Sequence, residues 1–295
     1  MPVEARQHIK RMRGGANAHL MLADDDAYYV VKFRNNPQHQ RVIVNEVLCY
    51  SLLDHLGLPT PGWDVVNVPE DLVRESPELV LEAGRRIIPC EPGRHFGSRF
   101  PVDPSTQAVY DYVPLSMLRD LLNVDAFLGM VPFDKWISNA NGRQAVFYRD
   151  RAANWLSDSD EDIWIAGKHV TPRSLVYVAN MIDHGFAFNA HRWDFSQLPE
   201  QGIYTRREVY ENVRGIEAFE PWLSRIENLS TDVLDDAQKR IPAAWYDDSW
   251  DELESLLERL YRRRKEVADL VRNAKQAALD PFPNWTMAVS AAGGA

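Results

Sequence analysis

Val176-Tyr-Val-Ala-Asn-Met-Ile-Asp183-His184-Gly185-Phe-Ala-Phe188 is the stretch from which the rest of the chain can be read. Seven mostly apolar residues, rich in Val, Tyr and Ile, lead up to a single carboxylate. A run of that length and composition reads as a buried strand. A carboxylate at the end of such a strand is costly to bury unless a metal or a cationic side chain meets it. Gly185 then lets the backbone turn sharply away. By itself an Asp-x-Gly turn is common, so the reading depends on whether partners for Asp183 lie upstream.

Three short strands are expected near the start: His8 to Met12, Ala18 to Ala23, and Ala27 to Phe33. Gly14 and Gly15 lie between the first two, where a glycine-rich turn lets backbone N–H groups approach an anion. Lys32 sits in the third strand among Tyr, Val and Phe. Arg41 to Leu56 follows as a helix with Val44, Val47, Leu48 and Leu52 on one face, capped by Gly57 and stopped by Pro59 and Pro61. Glu46 shares a stripe of that helix with Cys49, Tyr50 and Leu53. A carboxylate there needs a cationic partner, and the strand lysine just before it is the natural one. Lysine on a strand, glutamate on the next helix and a later Asp-x-Gly is the order used to hold a nucleotide triphosphate and its metal.

Further strands are expected at Trp63 to Val68 and Arg85 to Cys90. The Gly- and Pro-rich Glu91 to Pro101 reads as a connector, with a nucleotide base packing near Ile88 to Glu91. From Val113 to Met130, and on through Phe133 to Asn139, the apolar spacing is helical. A polar loop, Ala140 to Gln144, separates this helix from a strand at Ala145 to Arg149. Asp158 to Asp162 is read as a solvated acidic loop, because it lacks the glycine and closing glutamate of a calcium loop. The last third reads as mostly helical, and Ala291 to Ala295 as a disordered tail.

Composition bounds the functional classes. The 295 residues carry 33 basic and 43 acidic side chains, a net charge of -10. That balance argues against nucleic acid or anionic membrane as partners. Two cysteines form no disulfide framework or zinc set, and the first residues lack an apolar signal region. The expected location is cytoplasmic.

Taken together these blocks resemble the HipA-like kinases. The resemblance is carried by Gly14-Gly15-Ala-Asn-Ala-His-Leu, Tyr29-Val-Val-Lys32-Phe, Asn45-Glu46 with Leu56-Gly57-Leu-Pro59, His95-Phe-Gly-Ser-Arg99, Phe133-Asp134-Lys135-Trp136, Asn141-Gly-Arg-Gln144-Ala-Val-Phe147 and Ile182-Asp183-His-Gly185-Phe. It implies an α+β, two-lobed protein-kinase-like fold. Residues 1–91 would form a small β-rich lobe with one main helix, and 92–295 a larger, mostly helical lobe. It also implies ATP with Mg²⁺ and phosphoryl transfer to a hydroxyl acceptor, protein or small molecule. Lys32 would hold the α- and β-phosphates, Glu46 would orient Lys32, Gly14 and Gly15 would cover the phosphates, and Asp183 would bind the metal.

The catalytic loop departs from the family pattern. Where the resemblance places a catalytic aspartate the chain has Asn141, Arg143 follows the glycine, and Gln144 is the nearest residue to the expected second metal ligand. A neutral amide does not take up a substrate proton as a carboxylate does. A second register uses Asp134 as base and Asn139 as metal ligand. The Asn141 register fits the pattern better, with Asp134 as the alternative. Two functions therefore stay open: an active kinase, and a nucleotide-binding module of that fold with little turnover.

Overall fold

The computed structural model describes residues 2–156, 163–165, 167–195 and 198–286. The acidic run at 158–162 and the tail at 291–295 lie outside them. The first strands are β1 (Val3–Arg11), β2 (His19–Ala23) and β3 (Tyr28–Lys32), joined in succession by antiparallel pairing. Helix α1 (Arg41–Leu56) follows and ends at Gly57, whose φ of 69° closes the helix in the left-handed region. Then come β4 (Trp63–Val68), α2 (Glu70–Glu75), a hairpin of β5 (Val80–Ala83) with β6 (Arg86–Pro89), and β7 (Gly93–Arg99). The sheet closes into a barrel in the order β1-β2-β3-β7-β4, with β4 returning parallel to β1. Met21, Ala23, Tyr29, Val31, Val66 and Leu81 belong to its buried core.

β7 corrects the sequence reading. Glu91 to Pro101 is not a free connector, because Gly93–Arg99 pairs with both β3 and β4 and buries His95, Phe96 and Gly97. The glycine that suggested a loop is a packing residue, since a Cβ on Gly97 would fall 2.3 Å from Val66 Cγ2. The chain leaves the barrel only past Arg99, where the Phe100 N–H donates to the Tyr28 carbonyl at 2.6 Å.

The long helix expected from residue 113 is two helices, α3 (Leu115–Arg119) and α4 (Ala126–Trp136). The break exists because Leu121 bridges to Tyr177, and the Asn123 amide makes both hydrogen bonds to the backbone of Ala179, at 2.8 and 2.9 Å. Strand β8 (Gln144–Arg151) then pairs with β11 (Leu175–Ile182) from Gln144–Ile182 to Arg151–Leu175, and the short β9 (Ile163–Ile165) and β10 (Lys168–Val170) lie between them in sequence. Tyr110 bonds to the other edge of β8 through Phe147, at 2.8 Å in each direction.

Helices α5 (Trp222–Glu227), α6 (Thr231–Lys239), α7 (Trp250–Arg263) and α8 (Val267–Ala274) complete the chain. Acidic residues open α7 and basic ones close it, as its dipole favours. Arg263 turns inward, donating to the Trp136 and Lys135 carbonyls at 3.0 and 3.2 Å, and so covers the open end of α4. Helix α1 is buried almost all round rather than on one face. It packs against β7 on one side and α5 and α6 on the other. Among the described residues no helix is long and apolar enough to cross a membrane.

Candidate active site

Lys32 ends β3, Glu46 lies in the second turn of α1 and Asp183 follows directly on β11. The fold brings all three together. The Lys32 ammonium donates to Glu46 Oε1 and, at 2.8 Å, to Asp183 Oδ1. Glu46 Oε2 accepts the His184 backbone N–H at 3.0 Å, which ties α1 to the turn beyond Asp183. Lys32 and Glu46 are buried, while the Asp183 side chain keeps 22% of its surface open. Burial pulls Lys32 down, but Asp183 and then Glu46 outweigh it and hold the ammonium above its usual range. Burial raises Asp183, yet the adjacent ammonium wins and keeps it ionised, with help from Arg143 and the Gln144 amide. In Glu46, burial dominates over the pull of Lys32, so its carboxyl is pushed up.

These residues border a cavity of about 590 Å³. Val30, Phe96, Phe100, Val109, Val146 and Ile182 give it apolar walls. Lys32, Glu46, Asp183 and Gln144 line it too. Gln144 pairs with Ile182 across the β8–β11 ladder, which sets its amide beside Asp183. Ile88 to Glu91 do not line it. They belong to the β5–β6 hairpin and the turn after it, where the Glu91 carbonyl accepts from His95 at 2.9 Å. Ser98 to Pro101, at the exit from the barrel, occupy the place expected of them.

Gly14 and Gly15 lie in the turn between β1 and β2, but Met12, Arg13 and Ala16 line the cavity instead. The turn is held from outside, with the Gly15 carbonyl bonded to Gln38 Nε2 at 3.0 Å and the Ala16 carbonyl to Asn36 Nδ2 at 2.6 Å.

Asp134, Asn139 and Asn141 do not reach the cavity either. Asp134 lies in the last turns of α4, 1% exposed, and its Oδ1 accepts from Asn139 Nδ2 at 2.9 Å and from Arg143 Nη1 at 3.1 Å. Gly202, with φ of 73°, seals it: a Cβ there would come within 2.5 Å of Asp134 Cβ. The neighbouring Lys135 holds this cover down by donating to the Pro199 and Gln201 carbonyls at 2.6 and 2.5 Å. Burial pushes the Asp134 carboxyl up to about 6 against the pull of Arg143. Asn139 Oδ1 accepts the Asn141 N–H at 3.1 Å, and the Asn141 carbonyl accepts from Gly202 at 2.9 Å.

Two residues that sequence reasoning named without assigning a role organise the site. Arg143, 2% exposed, links the loop cluster to the turn after β11, donating to Asp134, to His184 Nδ1 at 3.2 Å, and to the Ile182 and Asp183 carbonyls at 2.5 and 3.1 Å. Burial, then the Arg143 charge, holds His184 well below its usual range, so its ring stays neutral and accepts. Asn45, fully buried, donates to the Gly185, Ala187 and Ala190 carbonyls at 2.9 to 3.0 Å and accepts from the Trp193 indole at 2.8 Å. Asn45 offered a signal, an amide amid apolar helix neighbours, whereas Arg143 lies in a polar loop whose sequence gives no sign of its burial.

Among the described residues no three His, Cys, Asp or Glu side chains gather as a self-sufficient metal site. Asp183 and Gln144 instead line the cavity with a carboxylate and a carboxamide, oxygen-bearing groups of the kind a hard cation shared with phosphate oxygens and water takes.

A family model described as HipA-like kinase matches residues 6–270. Among solved structures, the crystal structure of the golgi casein kinase superposes with a TM-score of 0.50 at 13% identity, covering 94% of this chain and 73% of that one. The golgi casein kinase with Mn/ADP bound gives a TM-score of 0.45 at 12% identity, over 92% of this chain and 72% of that one. The Helicobacter pylori proinflammatory kinase CtkA gives 0.34 at 11%, over 92% and 95%. At these identities the likeness is one of fold, mixed α and β and kinase-like. No curated protein sequence matches the chain.

Proposed function

Because the chain belongs to the HipA-like kinase family, we propose that its cavity binds ATP with a divalent cation, Mg²⁺ by preference, and serves phosphoryl transfer to a hydroxyl acceptor. The observation that carries this reading is the 2.8 Å contact between Lys32 and Asp183, 151 residues apart, at the border of a cavity sized for a small ligand. In this reading the barrel strands through Arg99, with α1, make one lobe that carries Lys32 and Glu46, and the rest makes a second that carries Asp183. Apolar walls at Val30, Phe96, Phe100, Val109 and Val146 take the base. Lys32, positioned by Glu46, faces the α- and β-phosphates. Asp183 and Gln144 would hold the metal, which when bound would neutralise phosphate charge. Transfer of this kind depends mostly on positioning and charge neutralisation.

A specific observation favours the second reading, a nucleotide-binding module with little turnover. Glu46, Asp183 and Asp111 are the carboxylates that line the cavity, and the first two are bonded to Lys32. Asp111 adjoins Tyr110, on the far edge of β8 from β11. Two strand spacings, about 10 Å, separate that edge from β11, so Asp111 stands to one side of Asp183 and the metal and phosphates assigned to it. Asp134 is sealed and engaged by Arg143.

Mg·ATP is expected to raise the melting temperature, and Lys32→Ala or Asp183→Ala to remove that rise. No rise with the unmutated protein would defeat both readings. Incubation with γ-labelled ATP then separates them: label transfer that Asp183→Ala abolishes identifies a kinase, whereas binding without transfer identifies the module.

A further inference from the structure

We propose that Lys10 and Arg13 grip the phosphoryl groups of the nucleotide with their side chains, in the place that sequence reasoning gave to the backbone of Gly14 and Gly15. The inference rests on the nucleotide reading above and names which residues make the phosphate subsite. In a chain of net charge -10, the cavity is lined by Lys10, Arg11, Arg13, Lys32 and Arg99 against only Glu46, Asp111 and Asp183. A concave surface with that local excess attracts a polyanion.

Not all of those cations are available. Lys32 is committed to Glu46 and Asp183, and Arg11 to Glu82 and to Asn17 at 2.6 Å. Lys10, Arg13 and Arg99 are exposed, and among the described residues their side chains make no hydrogen bond or ion pair; Arg99 pairs with Tyr29, three residues along β7 from Phe96, the partner of Lys32, which leaves Lys10 and Arg13 for the phosphate end.

The barrel register sets their distance from Lys32. Arg11 pairs with His19 and His19 with Val31, so β1 and β3 stand two strand spacings apart, about 10 Å. One step on, Met12 bonds to Ala18, level with Lys32. Arg13 therefore starts across the cavity from Lys32, and its long stem spans much of the gap. Phosphates lying between the two would meet a compact ammonium on one side and a forked guanidinium on the other, both suited to phosphate oxygens. Because these cations are exposed, their contribution falls with ionic strength.

The same charges would also suit an anionic group on the acceptor, so the test has two arms. Calorimetric titration of the full chain with AMP, ADP and ATP in Mg²⁺ is compared with a Lys10→Gln/Arg13→Gln double variant and with Arg13→Lys. The double variant is expected to lose about 10-fold in ATP affinity while AMP stays within about two-fold, with a shallower salt dependence. Arg13→Lys should keep most of the affinity. Equal ATP affinity in the two proteins overturns the proposal. So does an unchanged ATP affinity with a raised KM for an acidic peptide acceptor, which would move the role to the acceptor. Equal losses for AMP and ATP would also overturn it, by marking a structural defect. If the unmutated protein bound none of the three, the nucleotide reading itself would fall, an outcome distinct from a variant-specific one.

Discussion

His95 sits in β7 with both ring nitrogens committed. Its Nδ1 accepts the Arg34 N–H at 3.0 Å and its Nε2–H donates to the Glu91 carbonyl at 2.9 Å. A second ring proton would have to point at the Arg34 N–H. Burial, opposed only in part by the Glu91 carbonyl, lowers this imidazole to about 4, and burial lowers His19 in the barrel to about 4 as well. In the unfolded chain both titrate near 6.5. Between those values the unfolded state binds protons that the native state refuses, so stability rises with pH and is lost on acidification. Each ring is worth roughly 3 kcal/mol when the window is fully crossed. The urea midpoint is therefore expected to fall between pH 7 and 5. His95→Gln, weaker at pH 7, should lose less over the same interval, and parallel losses for the two proteins would contradict this account.

At the scale of elements, the loop after β11 depends on α1. Asp183, Phe188, Asn189 and Ala190 all have φ between 55° and 61°, a region that residues with a Cβ enter only when their surroundings require it. Asn45 supplies that requirement by holding three of the loop's carbonyls and the Trp193 indole. Gly185 lets the loop lie this close to α1, since a Cβ there would meet Val42 Cγ1 at 2.5 Å. Asn45→Ala is expected to cost about 2–4 kcal/mol by urea unfolding, because several buried groups lose their partner at once. Gly185→Ala should cost about 1–3 kcal/mol by overpacking. A loss below about 0.5 kcal/mol for Asn45→Ala would mean the loop holds its shape without α1.

The same elements show what the sequence made legible. Strands β2 to β4 and helix α1 carry local signals, in apolar runs, glycine caps and proline stops, and they fall within a residue of where those signals place them, whereas β1 starts at Val3, five residues before the expected His8. Lys32, Glu46 and Asp183 stood out because each is a charge inside an apolar stretch. β7 was hidden because its glycine serves packing against Val66, a fact about a strand distant in sequence. Asp134 read as an available acid because nothing nearby in sequence reveals Gly202 lying over it or Arg143 bonded to it. Local chemistry is written in local sequence, whereas access to a cavity is settled by segments far away.

On the scale of the whole molecule, one ammonium joins three distant parts of the chain: β3, α1 and the end of β11. Two carboxylates around one lysine leave a net negative charge, and Glu46 is the deeper of the two, at 1% exposed. Removing the lysine alone strands that buried charge, a defect that typically costs about 3–5 kcal/mol. Lys32→Met should therefore lower stability sharply at pH 7.5. The loss should be smaller at pH 5.5, because burial already pushes the Glu46 carboxyl up and it can take a proton once the ammonium is gone. Adding Glu46→Gln to Lys32→Met should recover most of the loss, since the amide can still accept the His184 N–H and carries no charge. Asp183, 22% open, can turn to water in either variant. Urea unfolding of the two single variants and the double variant closes the cycle. Strong non-additivity, with the double variant more stable than Lys32→Met alone, is the expected result. Additive losses would mean that Lys32 and Glu46 act separately, and that β3, α1 and the end of β11 are held together by packing around α1 without help from the ion pair.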